Sequence, residues 1–136
     1  MFFPQTGITQ DMVENESDFS SVFAEFQTWI EDQAGSGRFT LVTCGDWDLK
    51  TMLPKQCSLS GLDIPDYLRE WINIKKSYHA AKRVFPRSLP AMLAGLGMTF
   101  EGRQHCGMDD TVNIVRILTA LGRQGHVFAN TTSRRN

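Results

Sequence analysis

The segment RFTLVTCGDWDLKTML, residues 38–53, constrains the fold more than any other part of this sequence. Its first seven residues are rich in β-branched and aromatic side chains, and the uncharged run FTLV is typical of a strand buried on both faces. Gly45 and Asp46 then break the strand, and DWDLKTML has the pattern of a helix start. Strand, tight turn and helix form half of a βαβ unit, so this segment predicts an α/β fold with a parallel sheet.

The rest of the chain predicts mostly helices. The clearest is amphipathic and lies between Ser17 and a stop at 34–37, with apolar residues at three- and four-residue spacings. Further helices are predicted over 10–15 after Thr9, over 64–71, over 88–97 with Ser88 as cap, and over 109–121. In the last of these, Val112, Val115 and Leu118 share one face, which Ile114, Ile117 and Leu121 broaden. The strand signals are weaker: INI at 72–74, and HVFA at 126–129 before a loose polar tail from Asn130. Because a buried strand needs parallel neighbours, these short segments predict that part of the sheet is missing.

Composition is that of an ordinary globular domain and argues against several functional classes. The 136 residues carry a formal net charge of −1, which provides no global attraction to nucleic acid or to a membrane surface. No apolar run approaches the ~20 residues of a membrane helix, and MFFPQTGITQ lacks the basic start of a signal peptide. Cys44, Cys57 and Cys106 form no CxxC pair, which predicts free thiols in a reducing, intracellular compartment.

Asp48 is the first candidate for chemistry, because it comes just after the predicted buried strand. In open α/β sheets, ligands bind outside the carboxyl ends of the strands, so a carboxylate there faces the functional crevice. The alternative is a first-turn aspartate that only stabilises the helix. Asp46 is the better candidate for that cap, which leaves Asp48 with less structural reason to be there.

A second cluster lies in GRQHCGMDD, residues 102–110. Asp110 is predicted in the first turn of the last helix with His105 in the loop before it, while Asp109 is interpreted as a solvated, dipole-stabilising residue. Aspartates from two separate elements suit Mg²⁺, which takes one or two protein carboxylates and substrate phosphate, and a neutral histidine can deprotonate an attacking water. This spacing is weak evidence by itself. Cys106 beside the histidine is interpreted as a packing residue, because catalytic Cys–His partners usually come from distant parts of a chain.

The third candidate is the basic segment KKSYHAAKRVFPR, residues 75–87. Five cationic side chains alternate with Tyr78, His79 and Phe85, a pattern that suits a surface following phosphates with stacking partners for bases. The alternative is a solvated helix face.

Three motifs, together with an additional stretch at 5–13, resemble one known family. QTGITQDMV at 5–13 and CGDWDLKTMLPKQC with WINIKKSY precede GRQHCGMDDTVNIVRIL, in an order similar to that of the DEDDh 3′→5′ exonucleases and, within them, the exoribonucleases named for enhanced RNA interference. The resemblance runs from about residue 5 to residue 128. It implies a ribonuclease H-like three-layer α/β fold that lacks the first strands of the sheet. Residues 1–129 would be the C-terminal part of a single exonuclease domain and 130–136 a polar tail.

The resemblance also implies a function and a set of site residues. The expected reaction removes nucleotides from RNA 3′ ends, single-stranded or with a short overhang, using two Mg²⁺ (or Mn²⁺) ions. The expected roles are metal ligands at Asp48 and Asp110, a general base at His105, and contact with the terminal nucleotide by Thr6, Gly7, Ile8 and, more weakly, Trp47. A cytoplasmic or nuclear location, no membrane and room for a protein partner follow from the same resemblance.

The sequence departs from the family at its beginning. The family starts with a strand that carries an Asp-x-Glu pair upstream of the T-G-I stretch, and ENE at 14–16 is no substitute for it. Half of the metal-binding carboxylates are therefore not found here, and the sequence predicts very weak activity. The alternatives are a catalytically inactive RNA- or protein-binding fragment, and a chain poorly stable alone because FTLV would expose an apolar edge.

Overall fold

The segment 38–53 does form a strand, a turn and a helix, although the strand is short. The computed structural model describes residues 6–134, and no helix in that range is long and apolar enough to cross a membrane. The elements in chain order are α1 (Gln10–Val13), α2 (Phe19–Ala34), β1 (Leu41–Thr43), a π-helical turn (Asp48–Met52), α3 (Leu53–Leu59), a 3-10 turn (Asp66–Leu68), β2 (Glu70–Asn73), α4 (Ile74–Lys82), α5 (Leu89–Gly95), α6 (Gly107–Arg123) and β3 (Thr132–Ser133).

The helix ends follow local capping chemistry. Ser88 caps α5 as predicted, because its hydroxyl accepts the backbone N–H of Ala91 at 3.2 Å. Helix α2, predicted to follow Ser17, is capped by Asp18, whose carboxylate accepts the Ser21 N–H at 2.9 Å. Thr9 precedes α1 without a side-chain bond to it. Each cap satisfies an amide that would otherwise lack a partner at the start of a helix.

The sheet has the order β1-β2-β3 in the described part of the chain. Strand β1 runs parallel to β2, with Val42 opposite Ile72, and β2 runs antiparallel to β3, with Trp71 opposite Thr132. The predicted helix over 64–71 is wrong, since only a 3-10 turn precedes β2. Trp71 and Ile72 are instead buried in a strand, because pairing on both sides of β2 outweighs the local helical pattern.

The predicted edge strand over 126–129 is also wrong. This stretch has no regular structure, and Val127 is 85% exposed. The third strand lies instead at Thr132–Ser133, within the segment predicted to be loose. The Thr131 N–H donates to the Trp71 carbonyl, and the Asn130 amide bonds Glu70 at 3.0 Å. The reason is tertiary: an open edge of β2 offers hydrogen-bond partners that the polar side chains and backbone of this segment can satisfy.

Strand β1 sits between two apolar layers. Leu41 packs against a cluster centred on Phe23, Cys57 and Leu68, whereas Val42 packs against a second cluster that includes Ile117. Successive side chains of a strand point to opposite faces, so one layer contains α2 and α3 and the other contains α4, α5 and α6. The three residues of β1 are only half-buried, in contrast to the prediction, and β1 has β2 as its only strand neighbour in residues 6–134.

The buried face of α6 contains Ile117 and Leu121, from the broadened part of the predicted face, but not the two valines at its centre. Val112 and Val115 are about half exposed, at 48% and 53%, while Asn113, Ile117 and Leu121 are fully buried. Residues 113, 117 and 121 are four apart and therefore share a helix face. Hydrophobicity alone would place Val112 and Val115 in the core. The packing of α6 against α4 and α5 instead buries the face that contains Asn113.

Asp46 is not the helix cap that the sequence predicts. Its carboxylate forms an ion pair with the Lys76 ammonium at 2.8 Å and accepts bonds from the Trp71 indole N–H and the Thr132 hydroxyl. Burial alone would raise the pKa of Asp46, but Lys76, Thr132 and Trp71 outweigh it and hold the pKa at about 2. One carboxylate thereby ties the turn after β1 to β2, β3 and α4.

Replacing Asp46 with Asn should therefore destabilise the fold in a pH-dependent way. The folded-state pKa lies below the unfolded value of 3.8, so the contribution is complete above pH 4 and disappears as the pH falls towards 2. We expect the variant to lose about 1–2 kcal/mol of unfolding free energy at pH 7, and the loss to shrink towards pH 2.5. Urea denaturation at both pH values measures this difference, with the exposed Asp63→Asn as control. An Asp46→Asn loss that is equal at both pH values would contradict the assignment.

Candidate functional site

A cavity of about 750 Å³ opens at the carboxyl end of β1. Its floor includes Val42, Thr43 and Cys44, and its walls come from the turn after β1 and from the starts of α4, α5 and α6. Asp48, His105 and Asp110 all line it. The structure therefore brings together two carboxylates and one imidazole that are up to 62 residues apart in the sequence, at the edge where α/β sheets bind ligands.

Asn73 sets the geometry of the floor. Its side-chain oxygen accepts the N–H of Gly45 at 3.2 Å and the N–H of Lys75 at 3.0 Å. The buried amide thus fixes the turn that leads to Asp48 and caps α4 at the same time. Asp48 is the first residue of the π-helical turn, is exposed, and lines the cavity. Short π-helical turns occur frequently at functional sites.

His105 lies in the loop before α6 with a backbone angle φ of +64°. This left-handed conformation is uncommon for residues other than glycine and is found preferentially at functional positions. The His105 N–H donates to the Asp110 carboxylate at 3.3 Å, so the side chain of Asp110 also supports the loop. The imidazole is exposed, which leaves it accessible to solvent and to a ligand.

Asn113 anchors this loop, although it was not among the residues predicted from the sequence to form the site. Its side-chain oxygen accepts the Glu101 N–H at 3.1 Å, and its NH₂ group donates to the carbonyls of Glu101 at 2.8 Å and Asp109 at 2.7 Å. Arg116 adds a further bond to the same oxygen at 2.8 Å. The available signal was an asparagine at a four-residue spacing from Ile117 and Leu121, because a polar residue on a buried helix face needs internal partners.

Asp109 is not a freely solvated residue as predicted. Its carboxylate accepts the Arg103 N–H at 2.8 Å and lies where a side chain on Gly102 would be, at φ +84°. Glycine is therefore required at position 102 by both the backbone angle and the carboxylate. Asp109 closes the loop, and Asp110 is left to face the cavity.

The Thr6–Ile8 segment contacts the loop before α6 through Arg103. The Arg103 guanidinium donates to the Thr6 carbonyl and fills the space that a side chain on Gly7 would need. Neither this segment nor Trp47, which is 64% exposed, is among the described residues that line the cavity. Their contact with a terminal nucleotide remains a prediction.

The basic segment 75–87 does not form one continuous surface. Lys75 and Arg87 line the cavity, whereas Lys76 is paired with Asp46. Tyr78 is 6% exposed and packs in the core, so the prediction that it stacks on a base is wrong. His79 and Phe85 are exposed and face each other with ring centroids 5.8 Å apart. Their aromatic surfaces contact each other and lie outside the cavity lining.

The cysteines behave as predicted, since all three thiols are free. Burial raises the pKa of the Cys44 thiol on the cavity floor; the charge of Lys75 opposes this, and the charges of Asp110 and Asp48 add to it. Lys75, Asp48 and Asp110 therefore all influence the pKa of the same thiol, Cys44. A raised pKa disfavours the thiolate, which argues against a nucleophilic role for Cys44.

The donor set fits a hard divalent cation only in part. Asp48 and Asp110 supply carboxylate oxygens, which Mg²⁺ and Mn²⁺ prefer, and Mg²⁺ commonly takes one or two carboxylates with water and phosphate oxygens. In residues 6–134, however, no group of three or more His, Cys, Asp or Glu side chains is arranged to hold a metal. Two carboxylates suffice for one such cation, and a second one needs ligands from elsewhere.

Comparison with known proteins gives consistent matches. The family described as Exonuclease (RNase_T) matches residues 3–118. Human ERI1 exoribonuclease 3 is 39% identical over 131 residues, which cover 93% of this chain and 39% of that protein. Human 3′-5′ exoribonuclease 1 is 41% identical over 125 residues, which cover 88% of this chain and 36% of that protein. The chain thus spans less than half the length of these relatives.

A solved structure shares the fold. The nuclease domain of 3′hExo, described as a DEDDh family member bound to rAMP, superposes with a TM-score of 0.91 at 36% sequence identity. The match covers 97% of this chain and 68% of that domain. The arrangement of β1, β2 and the surrounding helices is therefore that of a DEDDh nuclease domain over most of the chain.

Proposed function

Since this chain belongs to the exonuclease family, we propose that it acts in 3′→5′ exonucleolytic hydrolysis of RNA. The observation that carries the proposal is the convergence of Asp48, His105 and Asp110 on one cavity at the carboxyl end of β1. The names of the human relatives, which are exoribonucleases, and the rAMP bound to the solved nuclease domain support RNA as the substrate class. We further propose an intracellular site of action, in the cytoplasm or nucleus, with room for a protein partner.

The proposed chemistry is hydrolysis of the last phosphodiester of the strand. A water oxygen attacks the phosphorus, and the bond to the 3′ oxygen of the preceding nucleotide breaks. His105 takes the proton from the water, and the departing 3′ oxygen gains a proton, so the products are a nucleoside 5′-monophosphate and a strand shortened by one nucleotide. Asp110 also positions the general base, because its carboxylate accepts the His105 backbone N–H and so supports the left-handed backbone conformation of His105.

Asp48 and Asp110 are the proposed ligands of Mg²⁺ or Mn²⁺. When bound, such cations neutralise charge on the phosphate and lower the pKa of water, and two of them are expected from the family. The Asp-x-Glu pair that serves this purpose in the family does not occur in the 136 residues, so the two aspartates by themselves account for one cation site. We therefore expect weak activity from the isolated chain.

A second candidate is a catalytically inactive RNA-binding fragment. It is supported by the shortage of metal-binding carboxylates in residues 6–134, because cationic side chains can bind a strand without any metal ligands. The two candidates make opposite predictions about the metal dependence of RNA processing.

Calorimetry and strand trimming test the proposal together. The purified chain should bind Mn²⁺, and Asp48→Asn or Asp110→Asn should weaken binding at least tenfold because each variant removes one charged ligand, whereas Asp63→Asn should not. With Mn²⁺ present, 5′-labelled single-stranded RNA should shorten one nucleotide at a time, and chelation should stop it. Mn²⁺ binding unchanged in both variants would refute the metal site, and RNA bound but never shortened would favour the inactive fragment.

A further inference from the structure

We propose that Lys75 and Arg87 form a phosphate-binding wall inside the candidate cavity, and that this wall holds the backbone of the RNA strand. The inference rests on the proposed function and assigns the substrate contact that the carboxylates cannot make. It divides the basic segment 75–87 into a pair that binds the strand and a remainder that does not.

Position supports the assignment first. Lys75 occupies the first turn of α4 and Arg87 lies just before α5, and both line the cavity that contains Asp48, His105 and Asp110. The Lys75 ammonium donates to the Arg87 carbonyl at 3.4 Å, so the two residues belong to one wall. The buried Asn73, which accepts the Lys75 N–H, fixes where this wall begins.

Charge supports it second. The ion pairs found in residues 6–134 are Asp66–Arg69, Asp46–Lys76 and Glu101–Arg116. Lys75 and Arg87 take part in none of them, so two cationic residues line the cavity without an ion-pair partner. Two carboxylates in the same cavity would repel a polyanion, and two cations there offset this repulsion where phosphate must enter.

Other cations are either paired or lie outside the cavity, and those outside it provide matched controls. Lys76 is neutralised by Asp46 and ties α4 to the sheet. Lys82 lies at the other end of α4, and Arg123 lies at the end of α6; neither lines the cavity. Loss of Lys82 or Arg123 changes the net charge as much as loss of Lys75 or Arg87, but it leaves the wall intact.

Salt dependence of RNA binding tests the wall without any chemistry. Binding of a 5′-fluorescein single-stranded RNA is measured by anisotropy between 50 and 300 mM NaCl, with EDTA present so that no strand is cut. Each phosphate contact with single-stranded nucleic acid contributes about 0.7 to the slope of log K against log salt. We expect Lys75→Gln and Arg87→Gln each to lower the slope by about 0.7, and the double variant by about 1.4. Lys82→Gln and Arg123→Gln should leave it unchanged, and Lys75→Arg and Arg87→Lys should retain it.

The outcomes separate this inference from the proposed function. Slopes that are equal in the wild type and the double variant, or lowered equally by Lys82→Gln, overturn the wall even if Mn²⁺-dependent trimming occurs. Lowered slopes in the two cavity variants support the wall even if the chain never shortens RNA. Absence of measurable RNA binding at 50 mM NaCl overturns it as well. Thermal melts of all variants check folding, and we expect little change because Lys75 and Arg87 are not part of either core cluster.

Discussion

Replacing His105 with Gln is expected to lower the rate of Mn²⁺-dependent RNA trimming by about 10²–10⁴-fold, the usual contribution of a positioned general base. Gln cannot accept a proton from water near neutral pH, but it keeps a polar side chain of similar length. Because the His105 backbone N–H, not its ring, bonds Asp110, the loop should keep its conformation. RNA affinity and melting temperature should therefore change little while the single-turnover rate falls.

The matched control for His105 is His79, which is exposed on α4 and lies outside the cavity. His79→Gln should trim RNA at the wild-type rate. Measurement at saturating RNA in single turnover separates the chemical step from strand binding. If His105→Gln retained the wild-type rate, the general base would have to be sought elsewhere and the proposed mechanism would fail.

The second large effect is expected at Asn113. Asn113→Leu preserves the approximate volume but leaves the Glu101 N–H and the carbonyls of Glu101 and Asp109 without their side-chain partner. These three hydrogen bonds are partly buried and each contributes about 0.5–1.5 kcal/mol, so we expect a loss of roughly 2–4 kcal/mol of unfolding free energy. Against a typical domain stability of about 5–15 kcal/mol, this is a large share.

Denaturant unfolding of Asn113→Leu measures that loss, and Val115→Thr on the exposed face of the same helix serves as control. The control should shift the free energy by no more than about 0.5 kcal/mol. Hydrogen exchange at His105 should speed up in Asn113→Leu, because Asn113 ties Glu101, at the start of the loop, to α6. Wild-type stability with unchanged exchange would show that the loop does not depend on this amide.

Particular elements show which parts of the fold were predictable. The α/β class, β1 with its following helix, α2, α5 and α6 were all predicted, because amphipathic spacing and capping residues act over a few positions. The structural match confirms the ribonuclease H-like α/β fold implied by the three motifs. The strand signal at 72–74 located β2 only in part, since β2 spans 70–73. The pairing of 132–133 was missed, because it depends on a partner more than fifty residues away.

The candidate site divides in the same way. The sequence by itself proposed Asp48, His105 and Asp110 as candidate site residues, through their place in motifs that resemble the family. Only the tertiary structure decided that these three share a cavity with Lys75 and Arg87, that Asp46 is an internal ion-pair partner, and that Asn113 holds the His105 loop. The physical reason is the sequence distance over which each effect acts. Helical periodicity and capping depend on residues three or four positions apart, whereas the burial of a polar group depends on which distant segment packs against it.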